Sequence, residues 1–116
     1  MQVDVTYKNL EASALIEDAV DKNIEKLERR IKMFRDDESI HLAVNLEKSL
    51  HRNEYYCNAH IHLPGHMLKI QGKADSAEKV IHKGFEALSK QLDKLKYKVE
   101  KHLQKKSKKL DTDSLG

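Results

Sequence analysis

The chain has no tryptophan, one cysteine and one proline, and only 5% of its 116 residues are aromatic. The lone cysteine, Cys57, excludes an internal disulfide and any zinc site built from several cysteines. Glycine is scarce too, and Gly65, Gly72 and Gly84 are spaced for neither a phosphate loop nor a dinucleotide fingerprint. No apolar run approaches the roughly 20 residues that span a bilayer. Met1 to Leu10 lacks the basic-then-apolar shape of a secretory signal. A sheet of the RNA-recognition type would display more rings in a defined motif. The expectation is a small cytoplasmic protein with no membrane partner.

What is present is charge and periodicity. Hydrophobic residues make up 39% and charged residues 35%, enough for a modest core in one domain. Gln2 to Tyr7 alternates apolar and polar residues and reads as a half-buried strand. Ile16, Val20, Ile24, Leu27, Ile31 and Phe34 then recur at helical spacing, with Ser13 as N-cap and an end expected near Phe34 or Arg35. Asp36-Asp37-Glu38 reads as a solvated connection rather than paired catalytic carboxylates.

Three alternating segments follow, centred on Ile40 to Leu46, Tyr55 to Leu63 and Leu68 to Ala74. Pro64-Gly65 is a turn pair between the last two. Asp75-Ser76-Ala77-Glu78 resembles a capping box and opens a helix that carries Ile81, Phe85, Leu88, Leu92, Leu95, Val99 and Leu103. That apolar line predicts roughly 27 helical residues, about 40 Å, which overhangs any sheet beneath it. The order β-α-β-β-β-α gives an α+β class, a four-stranded sheet with two helices packed on one face. Residues 1–104 form the expected domain, and 105–116 a flexible basic and polar tail.

The net charge of +3 conceals a sharp division. Residues 1–75 carry 11 basic and 13 acidic side chains, whereas 76–110 carry 11 lysines against four acids. On a helical wheel with Leu88 at zero, Lys79, Lys83, Lys90, Lys94, Lys98, Lys101 and Lys105 fall at about 180–280°. Glu78, Glu86, Asp93 and Glu100 take the opposite flank at about 80–160°, where only Lys96 joins them. The first helix sorts likewise, with Lys22, Lys26, Arg29 and Arg30 on one flank and Glu17, Asp21, Glu25 and Glu28 on the other. Such sorting fits two readings. The flanks keep helices soluble or pair them as coiled-coil edges do. Alternatively, the lysines track a phosphate backbone and displace its counterions.

Other constellations carry less. His60-x-His62 and His66 suggest a metal, but no carboxylate or cysteine lies at matching spacing, so no metal or other cofactor is expected. His41, Tyr56, His60 and His62 could instead stack on bases. Strand parity turns Cys57 inward, away from nucleophilic work. No set of nucleophile, base and orienting group can be read, so an enzyme is not expected.

Taken together, these segments resemble the ribosome hibernation-promoting factors, also called ribosome-associated inhibitor or subunit-interface proteins. The resemblance covers about residues 1–102. It rests on the opening strand with Ser13, Lys26-Leu27-Glu28, Val44-x-Leu46-Glu47-Lys48 and Lys90-Gln91-Leu92-x-Lys94-x-Lys96-x-Lys98, in that order. One departure is clear: the family's acidic-aliphatic-Tyr-x-Ala-Ile start of the second helix is here Ser76-Ala77-Glu78-Lys79-Val80-Ile81, without tyrosine. The extra dimerisation domain of the long family form is not found, so the chain resembles the short form. The resemblance implies a stress or stationary-phase protein on the small ribosomal subunit, in the channel of mRNA and tRNA anticodon ends. Its partners would be that subunit and its rRNA, with no small-molecule substrate, and the protein would be monomeric off the ribosome. The rRNA-binding residues expected are Lys22, Lys26, Arg29, Lys79, Lys83, Lys90, Lys94, Lys98 and Lys101. Two other readings compete: a generic double-stranded RNA binder, and an interaction module dimerising through its long last helix.

Overall fold

The computed structural model describes residues 1–32 and 39–115, with side chains described as far as Lys98 in the last helix. Its elements are β1 (Gln2–Lys8), α1 (Ala14–Ile31), β2 (His41–Lys48), β3 (Tyr55–Leu63), β4 (His66–Ala74) and α2 (Ala77–Leu115). The strands lie in chain order, β1 parallel to β2 and the other two pairings antiparallel. A parallel pair needs a crossover, and α1 makes it. The predicted α+β order is therefore the observed one. The predicted end of α1 at Phe34 or Arg35 and the acidic run Asp36-Asp37-Glu38 lie outside the described residues.

Period-2 alternation puts most apolar strand positions on one face, with Ala43 and Met67 among the exceptions on the other. Leu42, Val44 and Leu46 pair with Ile61, Ala59 and Cys57, and all six are buried. Ile70 continues the layer on β4, while Val3, Val5 and Tyr7 pack beside it, only partly buried because β1 is an edge. Val20, Leu27 and Ile31 of α1 and Val80, Ile81, Phe85, Leu88, Leu92 and Leu95 of α2 complete one cluster with them. Each large side chain taken fully from water contributes about 1.5–3 kcal/mol, so this layer is the main source of stability. The opposite sheet face stays polar and open.

Local signals fix the helix starts. The Ser13 hydroxyl accepts from the Ile16 amide at 3.2 Å, as its position predicts. For α2 the cap is Ser76, not Asp75: its hydroxyl accepts from the Lys79 amide at 3.2 Å. Asp75, one residue further out, pairs instead with the Lys79 ammonium at 3.1 Å. The capping box expected from Asp75 and Glu78 is thus displaced by one residue, with Lys79 where its acid would stand. At 39 residues, α2 is longer than its apolar line suggests. The sequence offers no reason to stop earlier, since neither Gly nor Pro occurs between Gly84 and Gly116. The expected domain limit at 104 falls within α2, and the side chains of the tail lie beyond those described.

Gly65 has φ +75°, the left-handed value that the second residue of the Pro64-Gly65 turn requires. Gly84 serves a different need, close approach of α2 to the sheet. A Cβ there would stand 2.7 Å from Cys57 Sγ and 3.3 Å from Ile70 Cδ1. Gly84→Ala is therefore expected to destabilise by about 1–3 kcal/mol through overpacking, despite alanine's better helix propensity. Adding Cys57→Ala should restore part of the loss in a urea titration, because it removes the nearest atom. No recovery in the double variant would show that another contact sets the spacing.

Candidate nucleic-acid interface

The two helices meet flank to flank. The basic flank of α1 faces the acidic flank of α2, and Arg30 Nη1 donates to both carboxylate oxygens of Asp93 at 2.7 Å. Arg29 and Arg30 occupy the last turn of α1, where the helix dipole favours cations. Around this pair a cleft of about 460 Å³ is lined by Lys26, Arg29, Arg30, Asp93 and Lys96, four cations against one acid. Lys96, the exception on the wheel, thus completes a basic cluster with α1. The flanks of α1 and α2 thus pair across this seam through Arg30 and Asp93.

The lysine stripe lies on the other flank of α2, turned to solvent and toward the β4 edge. Lys94 and Lys98 line a recess with His66, Leu68, Gln91 and Leu95. They also flank Tyr97, which is 63% exposed and extends the stripe with a ring. Lys79 and Lys90 pair with the acids one turn earlier, Lys79 with Asp75 at 3.1 Å and Lys90 with Glu86 at 3.5 Å. Both remain highly exposed, and such pairs are worth only about 0.3–0.5 kcal/mol, so either lysine can exchange its partner for a phosphate. Lys83 has structural work: its ammonium donates to the Lys73 carbonyl at 3.2 Å. The Gln91 amide likewise donates to the Lys69 carbonyl, and together they cover two of the outer acceptors of β4. The Lys101 side chain lies outside those described.

The structure therefore brings Lys26 and Arg29 together with Arg30 and Lys96, and groups Lys94 and Lys98 separately across the acidic row. Lys22 stands apart, paired with Asp18 at 3.1 Å. Arg30, Lys96 and Tyr97 are absent from the residues expected from sequence. The wheel places the first two on charged flanks of their helices, but only packing shows which flanks meet.

On the open sheet face, His41 and His62 stack with ring centroids 6.3 Å apart, and His60 meets His62 edge-on at 5.2 Å. His41 Nε2 lies 2.6 Å from Asp4 Oδ2. Among the described residues, no group of three or more His, Cys, Asp or Glu side chains is placed to hold a metal ion. Chelator treatment is accordingly expected to leave the melting temperature unchanged, and a drop would reveal a metal dependence. Burial pushes the Cys57 thiol up to about 11, so it stays protonated at neutral pH and is no nucleophile.

The fold is a basic helical layer on a mixed four-stranded sheet. Residues 3–100 match the model of the sigma 54 modulation protein / S30EA ribosomal protein family, and the chain belongs to that family. It is a ribosome-associated family. Two solved structures share the fold with TM-scores of 0.66. The N-terminal domain of Thermus thermophilus Protein Y is 20% identical, with 82% of this chain and 99% of that one covered. A ribosomal subunit interface protein from Coxiella burnetii is 17% identical, with 84% and 99% covered. No curated protein matches the chain. Among the described residues, no helix is long and apolar enough to cross a membrane.

Proposed function

We propose that this chain is a ribosome-binding translation inhibitor, a hibernation factor of the cytoplasm that acts under stress or in stationary phase. It seats its helical layer on small-subunit rRNA and fills the channel of mRNA and tRNA anticodon ends. Inhibition is steric, with no covalent step. The observation that carries the reading is the outward stripe of Lys79, Lys90, Lys94 and Lys98 beside the basic cleft of Lys26, Arg29, Arg30 and Lys96. Phosphate contacts of this kind position a protein on folded RNA by shape without reading sequence.

The test is co-sedimentation with ribosomes across a salt series. Each phosphate neutralised should steepen the fall in affinity by roughly 0.7–0.9 log units per log unit of salt. A steep slope, with ribosomes preferred over isolated duplex RNA, is the expected result. Equal affinity for a free duplex would instead make the chain a general double-stranded RNA binder. A concentration-dependent dimer without ribosome affinity would make it an interaction module.

A further inference from the structure

We propose that the open face of the sheet holds a second site, for one unpaired nucleotide of single-stranded RNA, built from Tyr56, Asn58, Gln71 and Lys73. The proposal rests on the reading that the partner is RNA, but it involves the face opposite the helices. Strand pairing sets Glu47, Tyr56 and Lys73 in one row across β2, β3 and β4, and Asn45, Asn58 and Gln71 in the next. The two rows border a shallow, open recess of about 470 Å³ lined by Glu47, Tyr56, Asn58, Gln71, Gly72 and Lys73. That volume lies in the range of small-ligand sites.

Each wall offers a chemistry that a nucleotide uses. The Tyr56 hydroxyl donates to Glu54 Oε2 at 2.6 Å, which fixes the half-buried ring as a stacking surface. That bond holds the Glu54 carboxyl below its usual range and the Tyr56 phenol above its own. Same-face neighbours along a strand are about 7 Å apart, so a base on the ring reaches the amides of the adjacent row. Asn58 and Gln71 are exposed, and their side chains have no hydrogen-bond partner among the described residues. Side-chain amides match the paired donor and acceptor of a base edge. The Glu47 carboxylate, loosely paired with Lys8 at 3.7 Å, accepts from an exocyclic amino group and disfavours uracil. Lys73 lies 3.9 Å from Glu54, a weak pair that leaves its ammonium able to meet the phosphate. A duplex hides its base faces, so the recess selects unpaired RNA.

The experiment is a titration of the ¹⁵N-labelled full chain with short oligo(A), oligo(U) and an RNA duplex, followed by side-chain amide signals. Oligo(A) should shift Asn58 and Gln71, oligo(U) should bind more weakly, and the duplex should move α2 signals instead. Tyr56→Leu, and separately Asn58→Ala with Gln71→Ala, should each weaken oligo(A) binding on the order of tenfold while duplex affinity is unchanged. Oligo(A) shifts confined to α2, no shifts at all, or unchanged affinity in a folded variant would overturn the site. Ribosome co-sedimentation of the unaltered chain separates the two readings. If it pellets while the sheet signals stay still, only this site fails.

Discussion

Replacing Lys90, Lys94 and Lys98 with Glu is expected to abolish binding to ribosomes while the protein stays folded. All three project from the solvent flank of α2, and among the described residues the only ion pair they make is the exposed one between Lys90 and Glu86. Reversal changes each contact from attraction to repulsion against a phosphate, so the effect exceeds that of simple removal. The neutral variants, with Gln at the same positions, should keep some binding and lower the salt slope by roughly 0.7–0.9 per lysine engaged. Lys83 is best left unchanged, because its ammonium also caps the Lys73 carbonyl and its loss would mix an edge effect with a charge effect. Glu86→Gln supplies the opposite control: it frees Lys90 and should leave binding intact or stronger. Asp93→Asn should release Arg30 from its clamp at little cost in stability, since both groups are about half exposed. Circular dichroism establishes that each variant is folded. If the triple Glu variant still pellets with ribosomes and blocks translation, the stripe is only a solubility device.

The contrast between the two helix flanks shows what a sequence can and cannot convey here. Strand parity is legible because apolar residues alternate without interruption in β2 and β3, and a slip of one residue would expose the whole set. The inward line of α2 is legible for the same kind of reason. Choosing Ser76 over Asp75 as cap is not, since both residue types cap well and the decision rests on one turn of backbone. Nor is the cleft around Asp93. Arg30 and Asp93 lie 63 residues apart, and their meeting depends on which side of α2 the first helix packs. The recess at Tyr56 falls between these cases. Once Pro64-Gly65 is taken as a two-residue turn, Leu63 faces His66, and each β3 residue pairs with the β4 residue equally far from the turn. Tyr56 opposite Lys73 and Asn58 opposite Gln71 follow from that register alone. Aromatic content gives no hint of it, because a single ring suffices for one nucleotide.

The largest loss of stability is expected from Ile61→Asp. Ile61 is fully buried, paired with Leu42 on one side and Leu68 on the other, in the layer covered by the helices. A carboxylate there loses the apolar transfer energy and is left without a partner, a deficit of several kcal/mol. Against a typical total of about 5–15 kcal/mol, that leaves a marginal fold or none. The deficit should also depend on pH in a defined direction. Burial raises the folded-state pKa of the new carboxyl above its unfolded value, so between the two values the folded chain holds more protons. Stability of the variant relative to the unaltered protein therefore falls as pH rises and recovers as pH drops toward about 4. His62→Asp is the matched control, one residue along β3 but exposed on the open face. It should change stability by no more than about 0.5 kcal/mol. Urea titrations of both variants at two pH values read all of this. A normal midpoint for Ile61→Asp, or an equal loss in both variants, would mean that the covered face of the sheet has been assigned wrongly.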